Sequence, residues 1–301
     1  MLMLKIKLFH NLAKIILVPS ILVSSLTLTT MAVAHDGNQA LQTAVLDRDA
    51  QDRARDKYRN PVQTLSFFHV EPGMKIAEAL PGGGWYTKIL ADYLGKDGEL
   101  HGINYNDDMW AMFGFFSEEQ IKKASEDTAK FSTLVEGFTD NGITTSGFTF
   151  ATAPEAANGS IDRVLFIRAL HNLNRFETNA STRSQALKVA HDLLKPNGLV
   201  GVVQHRAPED ATDEWADGSR GYLKQSALIK AFEQAGFELV MTSEVNANKK
   251  DKPETGDIVW RLPPSFNGVG DNAGKRAAMQ AIGESDRMTL LFKKQGAVFS
   301  H

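Results

Sequence analysis

The chain has 301 residues, with 33 Lys and Arg against 36 Asp and Glu and a formal net charge of −3. That balance argues against a nucleic-acid partner, which needs clustered basic side chains to neutralise phosphates. The sequence contains no cysteine, which excludes disulfide frameworks, thiolate metal sites and cysteine nucleophiles.

In chain order, the first element reads as a leader. Lys5, Lys7 and Lys14 precede an uncharged run from Ile15 to Leu28, and Ala32-Val33-Ala34 supplies a small-x-small cleavage pattern. These three parts predict a signal peptide over residues 1–34, cleaved after Ala34, and hence an exported, periplasmic protein. An uncleaved anchor is the alternative, since Ile15–Ala34 has roughly the length of a membrane span; Pro19 and six Ser or Thr residues weigh against it. No later stretch is apolar for long enough to insert stably in a bilayer. Residues 35–301 have the length of one α/β domain with a substantial core, and loss of the three leader lysines makes them more acidic still.

Leu41, Val45 and Leu46 give residues 35–60 a weak helical stripe, and Pro61 opens a short helix ending at Glu71-Pro72-Gly73. Strands are expected at Lys75–Leu80, Leu100–Ile103, Gly147–Ala151, Ile161–Ile167, Leu199–Gln204, Phe237–Val245 and Met288–Phe292. Helices are expected at Trp85–Leu94, Arg183–Leu194, Leu223–Ala235 and about Lys275–Ile282, with a long amphipathic stretch from Met109 to Phe131. Strands alternating with helices at this spacing predict a mostly parallel seven-stranded sheet covered on both faces. Residues 246–286 are rich in Lys, Asp, Pro, Gly and Asn. So long an irregular insert marks a candidate lid over the site, with Glu284, Asp286 and Arg287 as candidate pins.

The central motif runs from a buried strand, Ile76-Ala77-Glu78-Ala79-Leu80, through Pro81-Gly82-Gly83-Gly84 and directly into the helix beginning Trp85-Tyr86-Thr87. Glycines there allow a ligand close to the backbone, at the strand edge where open α/β sheets bind ligands; an ordinary turn is the competing reading. A dinucleotide fingerprint would require glycine at the position of Thr87. Glu78 precedes the glycines, placed to face a cationic amine rather than a phosphate, and S-adenosylmethionine (SAM) offers that amine with no phosphate.

The segments Glu78–Tyr86, Ile161–Asn172, Leu194–Gln204 and Gly236–Val240 resemble, in order and spacing, those of the class I SAM-dependent methyltransferases. More narrowly, Arg55–Pro61, Pro81–Tyr86, Arg168–Asn172, Gly201–Ala207 and Gly283–Thr289 resemble a family of exported methyltransferases whose substrates are uncharacterised. The resemblance implies a Rossmann-like α/β fold, SAM as cofactor and a small-molecule methyl acceptor. It places SAM against Glu78, Pro81, Gly82, Gly83, Gly84 and Tyr86, with Asn104 toward the ribose and Arg168 at the end of the fourth strand. Two positions depart from the class. Asn104 stands where an acid grips the ribose, and Ala151-Thr152-Ala153-Pro154 where an acid lies near the adenine.

On the acceptor side, the resemblance points the fourth strand's end at the transferring methyl group. His171 there is either a proton acceptor or a residue capping the next helix. After the fifth strand, Gln204-His205-Arg206 is either a substrate shelf, with Arg206 suited to an anion, or a solvated strand end. Tyr58, Arg59 and Tyr222 close over the site or pack on the surface. No metal is expected, because His35 lacks partners at ligand spacing. The leading expectation is methyl transfer to a small molecule, with His171, His205 and Arg206 as catalytic candidates. Because SAM is a cytosolic compound, an exported binding protein with a repurposed fold is the alternative. An NAD-dependent enzyme comes third.

Overall fold

The computed structural model describes residues 38–299; the expected leader and its cleavage site lie outside them. Seven strands form one sheet: β1 Lys75–Ala79, β2 Glu99–Asn104, β3 Thr144–Thr149, β4 Ile161–Ile167, β5 Leu194–His205, β6 Phe237–Ser243 and β7 Arg287–Lys294. Their order is β3-β2-β1-β4-β5-β7-β6. All pairings among β1 to β5 are parallel, whereas β7 runs antiparallel between β5 and β6. This is the Rossmann-like class I methyltransferase fold, with helices on both faces.

Burial follows position in the sheet. Four of the five residues of β1 and six of the seven of β4 are buried, as central parallel strands covered on both faces must be. The edge strands β3 and β6 are mostly half-buried or exposed. Alternation along β1 sends Ile76 into one core, with Leu90 and Phe68, and Ala77 and Ala79 into another, with Phe166 and Ile103.

Local signals account for the helix boundaries. Asn60 is left-handed and Pro61 occupies the first turn of the helix Pro61–Phe67, where its fixed φ and missing N–H are tolerated. The amphipathic stretch from Met109 to Phe131 falls into three helices, Asp107–Met112, Glu118–Ala129 and Phe131–Glu136. Gly114 at φ 78° breaks it, and Ser117 restarts it through a capping box with Gln120. The N-terminal stripe forms a helix over residues 38–46. Leu41 and Val45 are buried, but Leu46 is 61% exposed and does not belong to the packed face.

The insert 246–286 is tied to the body by polar contacts. Asn246 Nδ2 donates to Thr64 Oγ1 at 2.9 Å and to Thr289 Oγ1 at 3.0 Å, while within the insert Asn248 Nδ2 donates to Ile282 O at 2.9 Å and Glu284 O at 2.6 Å. Buried Asp251 receives Arg261 at 2.8 Å and Tyr222 at 3.0 Å. Among the described residues no helix is long and apolar enough to cross a membrane.

Candidate cofactor site

The carboxyl ends of β1, β2 and β4 open on a cavity of about 640 Å³, within the range of small-molecule sites. Two strand ends there carry non-glycine residues at positive φ: Leu80 at 55° after β1 and Arg168 at 59° after β4. Both are held by backbone bonds to the next strand, Leu80 N to Ile103 O at 2.7 Å and Arg168 N to Val203 O at 2.6 Å. Left-handed conformers of this kind store about 1–3 kcal/mol each and concentrate at ligand sites. Here they turn the chain out of two adjacent strands and onto the cavity wall.

Of the expected cofactor residues, Pro81, Gly82, Asn104 and Arg168 line the cavity. Glu78 lies one layer behind, 3% exposed, and accepts a 2.7 Å hydrogen bond from Thr87 Oγ1. Burial pushes its carboxyl up to about 7, against the opposing effects of the Thr87 bond and of Arg168. Thr87, which disqualifies a dinucleotide fingerprint, is therefore the residue that holds Glu78. Gly83, Gly84 and Tyr86 are not on the wall. Gly84 caps the helix Trp85–Leu94 at φ 78°, with the Phe138 ring against it. Tyr86 is buried and its hydroxyl donates to Arg59 O at 3.2 Å; its place is under the N-terminal segment.

Asn104 ends β2 with both halves of its amide engaged. Its Oδ1 accepts the Tyr105 N–H at 2.9 Å and its Nδ2 donates to Thr128 Oγ1 at 3.0 Å. Arg168 is the opposite case. It makes no side-chain hydrogen bond or ion pair to a described residue, and its Nε is buried without an acceptor. Burial, above all, draws its guanidinium down to about 10.

The acceptor-side candidates lie elsewhere. His171 is 5% exposed, and its backbone N–H reaches Gln204 Oε1 at 3.2 Å. Burial lowers its imidazole to about 4, so it is neutral at physiological pH. His205 sits 5.4 Å from it, ring to ring, with Nδ1 against Ser285 Oγ at 2.5 Å; burial and His171 hold its pKa well below the ordinary value. Trp260 covers His171 at 5.8 Å. Arg206 turns away into a fork of ion pairs, with Asp286 at 2.8 Å and Glu244 at 2.7 Å, and those bonds raise its pKa. None of the three lines the cavity. Gln204 and His205 are buried, so this strand end is neither an open shelf nor a solvated tip. Tyr222 is fully buried beside Asp251, and Arg59 is 1% exposed, so neither packs on the surface.

Several wall residues escaped the sequence reading. Trp110 lines the cavity with its indole Nε1 buried and without an acceptor, its ring edge-on to Tyr105 at 4.9 Å. Asn172 lines it too and donates to the Tyr105 hydroxyl at 2.8 Å. Lys123 and Asp127, paired at 2.5 Å, arrive from the helix Glu118–Ala129. The only sequence signal for these residues is their place just after a strand end, which Trp110 and Asn172 share and the helix does not. Among the described residues no group of three or more His, Asp or Glu is arranged to hold a metal ion.

No family model matches the chain, and no curated protein matches it. Solved structures do. A SAM-dependent methyltransferase from Aquifex aeolicus is 17% identical, covering 69% of this chain and 93% of that one, with a TM-score of 0.44. The 1,6-didemethyltoxoflavin-N1-methyltransferase of Burkholderia thailandensis, solved with S-adenosylhomocysteine, is 10% identical over 92% and 93%, TM-score 0.43. The geranyl diphosphate C-methyltransferase of Streptomyces coelicolor is 9% identical over 78% of each chain, TM-score 0.48. The strand order, rather than these likenesses, defines the fold.

Proposed function

We propose that this chain is a SAM-dependent methyltransferase acting on a small molecule, and that the cavity at the ends of β1, β2 and β4 is its donor site. The observation that carries the reading is the pairing of an acid and a base of opposite charge around one glycine turn. Glu78 lies behind Pro81-Gly82, and Arg168, with its orphan Nε, lies across from it. An α-amino acid end, ammonium beside carboxylate, complements that pair. The strand order and the absence of a pyrophosphate fingerprint support the same ligand class.

SAM bound there supplies a methyl group already activated on a sulfonium. Glu78, from behind the wall, would draw the ammonium end toward the Pro81-Gly82 turn, and Arg168, on the wall, would take the carboxylate end, fixing the direction in which the donor presents its methyl. Trp110 gives the cavity wall an apolar aromatic surface. The wall carries Lys123, Asp127, Lys130 and Arg168 but no histidine, and His171 is covered by Trp260 and, at about 4, a weak base. The protein's contribution is thus proximity and alignment, and the acceptor atom arrives with its lone pair available.

One observation favours the binding-protein reading: each end of the Asn104 amide already holds one bond within the protein, leaving a single N–H and a single lone pair, and no charge, for a ribose hydroxyl. Export remains part of the proposal, resting on the pattern of residues 1–34. Calorimetric titration with SAM and S-adenosylhomocysteine decides between the two. Micromolar binding that weakens at least tenfold in Arg168→Met and in Glu78→Ala supports the donor site. Folded protein that gives no heat with either ligand rejects it.

A further inference from the structure

Behind the cavity wall, positive charge accumulates that the protein does not neutralise. Arg55, Arg59 and Arg287 converge on one carboxylate, Glu284, at 2.6, 3.4 and 3.2 Å. Arg168, on the cavity wall, is close enough for Glu284 and Arg287 to act on it and for it to act on Arg59. Guanidinium groups stay protonated, so three positive charges contact one negative, with a fourth within electrostatic reach. Arg59 is 1% exposed and Arg287 3% exposed, so solvent does little to screen them.

The hydrogen-bond inventory shows the same deficit. Both terminal nitrogens of Arg59, the Nε of Arg168 and the Nε of Arg287 are buried without an acceptor. Orphaned donors on buried charges are costly, and a native structure keeps them where something else completes them. Arg59 is also aimed. Its guanidinium lies over the Trp85 ring at 4.4 Å, and its Nε faces Glu284. Stacking fixes the plane and leaves the paired terminal N–H edge buried without an acceptor, the edge that takes a flat two-oxygen anion. Burial, then the neighbouring Arg168, lowers Arg59 to about 9, as expected for a cation lacking a counter-charge.

A roof covers the cluster. The segment Arg55–Asn60 is fastened to Gly283–Arg287 by the Arg55–Glu284 pair and by the Arg287 guanidinium on Tyr58 O, and Gly283 has no side chain where the Tyr58 ring lies. Arg168 belongs both to this cluster and to the open cavity, so it joins the two.

On the donor reading above, one carboxylate meets Arg168, and the cluster still carries positive charge in excess. We propose that the remainder is the acceptor's subsite: the molecule methylated is a small organic acid, whose carboxylate docks on the terminal edge of Arg59 with Arg55 and Arg287 around it. The role as acceptor site rests on the methyltransferase reading; the binding of a carboxylate does not. Glu284 is the internal counter-ion that keeps the empty cluster folded.

The test is thermal unfolding of the full chain with sodium malonate as the carboxylate probe, against sodium chloride at equal ionic strength, with and without saturating S-adenosylhomocysteine. Malonate is expected to raise Tm by several degrees in both conditions. Arg59→Met should weaken the malonate response at least tenfold in concentration while still binding S-adenosylhomocysteine. Arg55→Gln, at a half-buried position, should weaken it severalfold and guards against a misfolded Arg59 variant. A malonate effect that disappears once S-adenosylhomocysteine is bound overturns the proposal, because the cluster then holds the donor's own carboxylate. No malonate effect in either condition also overturns it and leaves an internal ion network. A malonate effect dependent on Arg59 in protein that ignores S-adenosylhomocysteine upholds the carboxylate site and rejects the donor reading instead.

Discussion

Gly83 and Gly84 are neighbours in the same turn and answer to different constraints. A Cβ on Gly83 would meet nothing within 4 Å, whereas one on Gly84, already at φ 78°, would fall 2.7 Å from the Phe138 ring. Gly83→Ala should therefore change stability by no more than about 0.5 kcal/mol, and Gly84→Ala should lower it by about 2 kcal/mol or more; urea midpoints compare them directly. Glu78 gives a pH signature. Its folded pKa, about 7, lies above the ordinary 4.5. Between those values the folded state keeps a proton that the unfolded state has lost, so stability falls as pH rises through that window and levels off above about 7. The fall is on the order of 3 kcal/mol, and Glu78→Gln should remove it from a series of denaturation curves. Glu78 and Gly82 were legible in the sequence because a strand, a turn and a helix follow one another within a dozen residues, whereas Arg168 came from the resemblance of the segment Ile161–Asn172. The place of Arg206 was not: its partners lie 38 and 80 residues away, and no local pattern encodes them.

The elements beside the cavity are set by glycines that look idle in the sequence. A Cβ on Gly147 would lie 2.0 Å from Thr128 O, and one on Gly102 would lie 2.5 Å from the Phe131 ring. The helices Glu118–Ala129 and Phe131–Glu136 thus rest directly on β2 and β3, which places Lys123 and Thr128 on the cavity wall. Gly147→Ala should push the first helix off the sheet, lowering the unfolding midpoint and weakening S-adenosylhomocysteine together. A drop in midpoint with unchanged affinity would separate the helix from the site. The buried strands β1, β4 and β5 announced themselves as nearly continuous apolar runs. The break in the Met109–Phe131 stretch was also written there, in Gly114 and the Ser117–Gln120 capping box. The start of β3 at Thr144 carries no apolar signal, since an edge strand half open to solvent needs none.

At the scale of the whole molecule, two cores share one sheet, and each carries its own tryptophan: Trp85 on one face, and Trp110 packed against the other. Because alternate residues of the same strands feed both cores, neither face can come apart alone. Single-tryptophan variants reporting from Trp85 and from Trp110 should give coincident unfolding transitions; two separated midpoints would show the faces to be independent. The count of strands was legible in the sequence, and so was their parallel majority. The seat of β7 between β5 and β6 was not a property of its own residues, since an apolar run pairs equally well at an edge or in the middle. That seat has a consequence in time. β7 follows every other strand in the chain, yet β5 and β6 have no contact ladder with each other without it. A ribosome must therefore deliver almost the entire polypeptide before β6 can join the sheet: the strand made sixth waits for the strand made last, while β1 to β5 already have one another as partners.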